Sequence, residues 1–353
     1  MGRGIKKLLA VVGVLVGTVV IGAGGYVGYV ILSYNRIGDI DLEVDKGSSR
    51  TSVSIGTTYS AMTYNIGFGA YSQDYTFFLD TGYDDEGNPT CGRWSKGKSK
   101  DEVLFNTEGA IEVANSLNAD FNLFQEVDYD STRSYHINQD EMIREAFPKY
   151  DHVQAVNYHM PFLPFPLYDM HGYTGAGITT MSRYAIEEAK RIEYPVSDGF
   201  GKFIDLDRCF SISKIKVSNG KPFYLVNSHM SAYDEGGTVR EQQVKKINDF
   251  LAQAKEEGAY VIMGGDWNHE LLINNPEFSY NDANIPFGMT KKTPDWLQRF
   301  FSEDGSLPFV EGYRIVASDN APTCRNNDIE WDPSETYQCV VDGFIRSEER
   351  RVG

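Results

Sequence analysis

The sequence predicts an α/β domain that follows a single N-terminal transmembrane helix. Short apolar runs with strand character recur along the chain, several of them end in a polar residue, and helices with one apolar face lie between them. A separate uncharged run occupies the N-terminus. With 353 residues, 41% of them hydrophobic, the chain is long enough for one large globular domain with an ample core.

The N-terminal run extends from Leu8 to Leu32 and follows three cations, Arg3, Lys6 and Lys7. At about 1.5 Å per residue, a helix of this length exceeds a hydrocarbon core of roughly 30 Å. The positive flank places the N-terminus in the cytoplasm and the rest outside, as a single-pass protein of the cell membrane with an extracellular domain. A cleaved signal peptide is the alternative, but the run is long for one and no small-x-small cleavage site is evident.

Residues 1–32 are therefore the expected membrane anchor, the polar residues 33–57 a stalk, and residues 58–345 the domain. Strands are predicted at Thr58–Ile66, Phe121–Asp128, Tyr150–Val156, Gly177–Ser182, Cys209–Val217, Phe223–Ser228, Tyr260–Met263 and Gln338–Ile345. Helices are predicted at Thr107–Leu117, Glu141–Ala146, Thr238–Lys255 and near Pro294–Phe301. Residues 71–100 read as a surface insertion.

An aromatic and proline-rich segment, Pro161–Tyr173, has the sequence PFLPFPLYDMHGY. We call it the aromatic loop. It is interpreted either as a loop packed on the body of the domain or as a lip that faces substrate or membrane.

The stretch AYVIMGGDWNHE, residues 259–270, combines a buried strand with polar chemistry at its end. Gly264 and Gly265 are expected to let the backbone turn sharply and a ligand approach. Asp266 and Asn268 lie two residues apart, so in extended geometry both side chains point the same way. Alone, this pattern is more typical of a turn closed by an Asx side chain, and His269 and Glu270 are expected to be neighbours rather than participants.

Polar side chains recur at or near the ends of other predicted strands. They are Asn65, Glu126, His229 with Asn227, Asp266 with Asn268, and Asp342. Ligands gather at strand ends in α/β sheets, and carboxylate and amide oxygens suit Mg²⁺, with Mn²⁺ or Ca²⁺ as alternatives, better than zinc. Each signal is weak by itself, and a strand-end histidine is commonly a core residue, but together they indicate a metal-dependent site.

The pieces MTYNI, LFQEVD, VNSHMSA, GGDWNHE and VVDGFI, in this order, resemble the endonuclease/exonuclease/phosphatase family of DNase I-like, Mg-dependent phosphoesterases. They span nearly all of the predicted domain. The resemblance implies a four-layer sandwich of two mixed β-sheets flanked by helices.

By the same resemblance, Asn65 and Glu126 would hold the catalytic cation, with Glu126 as the direct ligand. Asp266, assisted by Asn268, would orient or deprotonate the attacking water. His229 would hydrogen-bond the phosphate and stabilise charge in the transition state, and Asp342 would be the last catalytic aspartate. Phosphoryl transfer to water needs this combination of a positioned nucleophile and a cation on the phosphate oxygens.

The sequence departs from the family pattern after Asp342. The family normally continues with another strand and a Ser-Asp-His triplet whose histidine is a principal general acid and base. Here Ile345 is followed by RSEERRVG, and the triplet Ser318-Asp319-Asn320 lies earlier and contains no histidine. The domain is therefore expected to be C-terminally incomplete, with residues 346–353 as a non-native tail and activity weak or absent. Normal turnover would contradict this.

The expected function is Mg²⁺-dependent hydrolysis of a phosphate ester at the outer cell surface. Phospholipid head groups, inositol phosphates and nucleic acids are candidate substrates, and no protein partner is predicted. A net charge of −17 disfavours DNA only modestly, so a DNase-type nuclease stays an alternative. A catalytically impaired surface binding protein on the same scaffold is another.

The four cysteines, Cys91, Cys209, Cys324 and Cys339, have no metal-ligand spacing. Outside the cell, Cys324 with Cys339 is the most plausible disulfide, because both fall in one late segment. Four unpaired thiols are the alternative.

Overall fold

The computed structural model describes residues 2–33, 35–84, 86–196, 207–232, 238–272, 292–300 and 311–348. Within these residues the α-helices are α1 (Arg3–Ser33), α2 (Lys100–Leu117), α3 (Gln139–Ala146) and α4 (Thr238–Glu256). The strands are β1 (Ile40–Leu42), β2 (Ala61–Asn65), β3 (Thr81–Tyr83), β4 (Pro89–Cys91), β5 (Phe121–Ser131), β6 (Asp151–Leu163), β7 (Gly172–Ser182), β8 (Ile186–Glu193), β9 (Cys209–Lys216), β10 (Pro222–His229), β11 (Tyr260–Asp266), β12 (His269–Glu270), β13 (Gln298–Arg299), β14 (Tyr313–Ala317), β15 (Cys324–Arg325), β16 (Gln338–Cys339) and β17 (Asp342–Ser347).

Two mixed sheets form the centre of the domain. The larger has seven strands in the order β1-β8-β9-β10-β11-β17-β14, and the smaller has four in the order β2-β5-β7-β6. The pairs β10–β11 and β2–β5 are parallel, and the other neighbours in these two sheets are antiparallel.

The sheets pack face to face with helices on both outer surfaces, which confirms the predicted four-layer sandwich. Between the sheets, Phe121 and Leu123 of β5 pack with Ile215 and Leu225 of the larger sheet. Helices α2 and α3 cover the outer face of the smaller sheet. Helix α4 covers the outer face of the larger one through the apolar stripe that its spacing predicts.

Helix α2 begins earlier than the predicted Thr107. Ser99 caps its N-terminus by accepting a hydrogen bond from the backbone N–H of Glu102 at 3.2 Å, and Asn118 ends it in a left-handed conformation with φ 48°. Its first three residues, Lys100–Glu102, are all charged, so they show no apolar periodicity, and the apolar residues Val103–Phe105 that follow belong to the helix as well.

The segment predicted as a stalk differs most from expectation, because much of it packs along the domain. β1 pairs with β8 at the edge of the larger sheet, and Asp45 bridges His152. Further along, Val53 is buried and its N–H donates to the Lys216 carbonyl at 2.9 Å. The apolar residues Leu42 and Val44 alternate with charged ones and face the core between the sheets, which is a strand pattern hidden by a polar composition.

The expectation that two glycines end the central strand is wrong. β11 continues through both to Asp266. A Cβ on Gly265 would lie 2.0 Å from the Ser228 carbonyl oxygen of β10, and one on Gly264 would lie 2.5 Å from the Phe344 ring. The glycines therefore serve close strand and side-chain packing, not a turn.

Two other elements differ from prediction. Residues 294–300 form a turn and β13, which pairs with β12, instead of the predicted helix, and Phe301 lies outside the described residues. The last predicted strand is split into β16 and β17. β17 runs through Ser347, beyond the predicted end of the domain at Ile345, because its last residues pair with β14.

All four cysteines are free thiols. Cys324 and Cys339 nevertheless stand opposite one another in the antiparallel pair β15–β16.

A buried hydrogen bond joins the two sheets. Asn227 of β10 accepts from Gln125 Nε2 of β5 at 2.7 Å and donates to the carbonyls of Phe124 and Thr179 at 3.1 Å each. Both side chains are fully shielded from solvent. These contacts fix where one sheet lies over the other.

We expect Asn227→Ala to lower the free energy of unfolding by about 2–4 kcal/mol, because it leaves buried partners on β5 and β7 unsatisfied. Chemical denaturation of the detergent-solubilised chain, followed by circular dichroism, measures this. Asn115→Ala on the exposed face of α2 is the matched control and should change it by less than about 0.5 kcal/mol. Equal stability of the two variants would contradict the role of Asn227.

Candidate active site

The polar residues predicted at strand ends meet at one end of the sandwich. Asn65 ends β2, His229 ends β10 and Asp266 ends β11. In the larger sheet, His229 and Asp342 are the register partners of Asp266 on either side. β10 and β11 are parallel while β17 runs the opposite way, so two strand ends and one strand beginning come to the same edge.

Asn65 joins the two sheets across this edge. Its Nδ2 donates to Asp266 Oδ2 at 2.7 Å and to Glu126 Oε1 at 3.2 Å, while its Oδ1 accepts from the Gly67 N–H at 2.9 Å. One amide therefore holds carboxylates from β5 and β11 together.

Glu126 and Asn268 both have backbone conformations that L-residues seldom adopt. Their φ angles are 52° and 51°. Glu126 lies where the β5–β7 register shifts between Phe124 and Val127, so a bulge turns its side chain towards the site. Asn268 receives support at both ends: its N–H donates to Asp266 Oδ1 at 2.8 Å and its Nδ2 donates to the Met230 carbonyl at 2.9 Å. Such conformations persist where surrounding contacts hold them and are typical of functional sites.

His229 is buried, and its Nε2 lies 3.7 Å from Asp266 Oδ2. Asn157 Nδ2 lies 3.3 Å from Nδ1 and donates to it, which leaves the proton on Nε2. Burial, with the nearby positive charges of Arg208 and Arg133, holds the pKa of His229 well below its usual range. His229 is therefore a neutral imidazole that presents an N–H to the site.

Asp266 and Asp342 are a close pair of carboxyl groups. Burial is the main cause that raises the pKa of Asp266 to about 6. The charge of Glu126 acts in the same direction, and hydrogen bonds from Asn65 and Asn268 oppose it. Burial and the charge of Asp266 raise the pKa of Asp342 well above its ordinary value. Both carboxyl groups therefore have a high affinity for a proton.

Asp342 is held in place by neighbours that the sequence reasoning did not identify. Thr323 Oγ1 accepts from the N–H groups of Val341 and Asp342, both at 3.1 Å. The buried Trp267 donates from Nε1 to the Gly343 carbonyl at 3.1 Å and from its backbone N–H to Val341 at 2.9 Å. These contacts fasten the beginning of β17 to the end of β11.

The sequence analysis also missed Asn157 and Arg208, although a search for polar residues directly beside predicted strands would have found both. The predicted strand stopped at Val156, one residue before Asn157, and Arg208 immediately precedes the predicted start of β9. Arg133 carries no such signal. It pairs with Asp128 at 2.8 Å and lies 3.9 Å from Glu126, and it comes from the short helical turn after β5.

The donor set fits a hard divalent cation. It consists of carboxylate and amide oxygens, and Oδ1 of Asp342 is shielded from solvent without a hydrogen-bond partner. Among the residues that the structure describes, no three His, Cys, Asp or Glu side chains are grouped closely enough to hold a metal ion by themselves.

No protein-family model matches the sequence, and no curated protein matches it. Several solved structures are similar. ANGEL2, a 2′,3′-cyclic phosphatase, has 13% identity and a TM-score of 0.47 over 88% of this chain and 86% of that chain. An endonuclease/exonuclease/phosphatase from Beutenbergia cavernae has 12% identity and a TM-score of 0.46 over 84% and 73%. Truncated TDP2 from Caenorhabditis elegans has 14% identity and a TM-score of 0.45 over 82% and 84%. One of the three thus bears the name of the family that the motifs resemble.

Glu270, at the edge of the site, is a buried carboxyl whose oxygens accept from the N–H groups of Leu272 at 3.0 Å and Val340 at 3.4 Å. Burial raises its pKa from 4.5 to about 7. The folded state therefore binds this proton more tightly than the unfolded state, so the stability that it contributes is present below pH 4.5 and lost as pH rises through 7.

We expect the free energy of unfolding of the native chain to fall relative to that of Glu270→Gln, by about 2–3 kcal/mol between pH 5 and 8 in EDTA. The glutamine keeps an acceptor and cannot titrate. Denaturation of both chains across this pH range measures the difference, and Glu112→Gln, an exposed helical glutamate, is the control. A constant difference between the native chain and Glu270→Gln would contradict the shift.

Proposed function

We propose that this chain is a membrane-anchored, Mg²⁺-dependent phosphoric ester hydrolase whose domain lies outside the cell. The observation that carries the proposal is the position of Asp266. Its carboxylate is held by Asn65 at 2.7 Å, lies 3.7 Å from the N–H of His229 and stands opposite Asp342. A base, a neutral donor and a set of oxygen ligands thus share one edge of the sandwich.

Asn65 and Glu126 would hold the cation, with Glu126 as the direct ligand. When bound, the cation supplies positive charge to the phosphate oxygens and to the site's carboxylates. Asn65 already bridges Glu126 and Asp266, so the ligand and the base are positioned by one side chain.

Asp266 would accept a proton from the attacking water while the water oxygen bonds to phosphorus and the ester oxygen leaves with the electron pair of the broken P–O bond. The leaving oxygen then takes a proton from solvent. Burial makes Asp266 a stronger base than an exposed aspartate, because it raises the pKa of Asp266 to about 6. The Asn268 N–H, at 2.8 Å, holds the carboxylate in orientation.

His229 would donate a hydrogen bond from its Nε2–H to a phosphate oxygen. A neutral donor fixed by Asn157 costs no reorganisation when charge develops on that oxygen. Its low pKa keeps it uncharged, so the donor role does not depend on protonating the ring.

The membrane part of the proposal rests on α1. Within the described part of the chain, α1 is the helix long and apolar enough to cross a bilayer, a property that a signal sequence shares. A phosphate ester carried by lipid is the substrate class that this arrangement favours.

We expect the full chain in detergent to hydrolyse bis-p-nitrophenyl phosphate or p-nitrophenyl phosphate with Mg²⁺ or Mn²⁺, and to lose this turnover in EDTA. Asp266→Asn should lower the rate by about 10²–10⁴-fold, because it removes the base and keeps the side-chain shape. Asp249→Asn, an exposed aspartate of α4, should leave the rate unchanged.

Turnover that persists in EDTA or in Asp266→Asn would refute the proposed chemistry. A folded chain that binds Mn²⁺ and hydrolyses neither ester would support the binding-protein alternative instead. Cleavage of DNA in preference to both esters would support the nuclease.

We expect His229→Gln to lower turnover by about 10²–10³-fold while Mn²⁺ binding, followed by electron paramagnetic resonance, stays intact. Glu126→Gln should weaken Mn²⁺ binding itself. His136→Gln, at a histidine that is 60% exposed in its side chain, is the matched control for both measurements. Loss of Mn²⁺ binding in His229→Gln would assign His229 to the metal rather than to the phosphate.

A further inference from the structure

The aromatic loop leaves large apolar side chains in solvent at the tip of the β6–β7 hairpin. Leu167 is 77% exposed, Tyr168 73% and Phe165 56%. Three large exposed apolar side chains thus lie within four positions of a chain whose net charge is −17. Surfaces of this kind on a folded domain mark places of contact with a protein or a membrane.

Buried polar contacts beneath these side chains hold the loop with its apolar residues facing outwards. Asp169 accepts from the Ser95 N–H at 3.0 Å, and His171 Nδ1 lies 2.7 Å from the Ser95 carbonyl, to which it donates. Ser95, Asp169 and His171 are all buried. The tip is therefore a fixed structure whose polar residues point inwards and whose apolar residues point outwards.

The residues that hold the loop belong to a basic segment, Arg93–Lys100, with the sequence RWSKGKSK. Lys96 pairs with Asp169 at 3.0 Å, and the Tyr168 hydroxyl donates to the Arg93 carbonyl at 3.3 Å. Lys98 is engaged by Asp74, whereas Arg93 and Lys100 are exposed. Of the four cations of this segment, Arg93 and Lys96 thus lie beside the apolar tip.

The same hairpin touches the end of α1. The Tyr26 hydroxyl donates to the Phe162 carbonyl at 3.1 Å, and the Phe162 N–H donates to the Tyr29 hydroxyl at 3.3 Å. Both tyrosines lie in the last turns of α1, where a spanning helix reaches the outer interface and where tyrosine is enriched. Phe162 is thereby placed at the level of the lipid head groups.

We propose that the aromatic loop and the basic segment form a membrane seat, which inserts its apolar side chains into the interfacial layer of the bilayer that α1 crosses. The seat rests on the membrane anchoring proposed above. The bilayer is the occupant because α1 brings it against this hairpin, and because an apolar tip flanked by cations is complementary to an anionic interface.

The membrane seat also bears on the proposed substrate class. Asn157, which contacts His229, and Phe162 lie on the same strand, five positions apart. At about 3.3 Å per residue, the site is roughly 17 Å along β6 from the interface. Because this is the distance along the strand, the site lies at most roughly 17 Å from the interface, and a phosphate ester carried on an extended lipid head group would reach it.

The test uses the full chain in nanodiscs of phosphatidylcholine and phosphatidylserine, with and without bromine on the acyl chains. Leu167→Trp places a fluorophore at the tip. Ile55→Trp is the matched control, because Ile55 is 55% exposed and follows Val53, whose partner Val217 lies at the other end of the sandwich from His229. The unsubstituted chain, with four tryptophans, provides the baseline.

We expect bromolipid to quench the added fluorescence of Leu167→Trp at least about twofold more than that of Ile55→Trp. Omitting phosphatidylserine should reduce the quenching. Equal quenching of the two variants would overturn the seat. Failure of the chain to co-elute with nanodiscs would overturn both the anchoring and the seat, whereas turnover of soluble esters in the same preparations reports the proposed chemistry independently.

Discussion

The structure depends on one buried hydrogen bond in the apolar core, between Gln125 of the smaller sheet and Asn227 of the larger sheet. Apolar side chains between two sheets fill space but tolerate sliding, because their interactions are non-directional. A buried amide pair tolerates none, since a shift would leave both partners unsatisfied. Gln125 immediately precedes Glu126, and Asn227 lies two residues before His229, so the contact that aligns the sheets also aligns the two halves of the site.

The site concentrates negative charge where water is largely excluded. Burial and the charge of Glu126 raise the pKa of both Asp266 and Asp342, and the charge of Asp266 raises that of Asp342 further. An arrangement of this kind costs stability unless a proton or a cation relieves it. In the proposed mechanism, the same cost makes Asp266 basic enough to accept a proton from water and would draw a divalent cation to the site.

The sequence was sufficient for those features that leave a local pattern. Asn65, His229 and Asp266 were identifiable because each ends an apolar strand, and Glu126 because it interrupts the apolar run of β5. The strands themselves show in their alternation. β8, with the sequence IEEAKRIE, was missed because one face is charged and the strand resembles a solvent-exposed segment. The same is true of residues 40–54, whose alternating apolar positions are diluted by acidic ones. Contacts between distant parts of the chain, such as Thr323 with the start of β17, leave no local pattern and needed the fold.

The attachment of α1 to the domain sets a geometric limit. Besides the contacts of Tyr26 and Tyr29 with Phe162, Arg36 pairs with Glu193 at 3.4 Å, and Asp39 accepts from the Glu193 N–H at 2.7 Å. Because the domain contacts the chain both before and after the end of α1, its orientation relative to the helix is fixed. If α1 spans the bilayer, the carboxylates of the candidate site stand at one constant height above it. An enzyme built in this way would select its substrates first by how far their phosphate stands from the hydrocarbon boundary, and only then by their fit to the site.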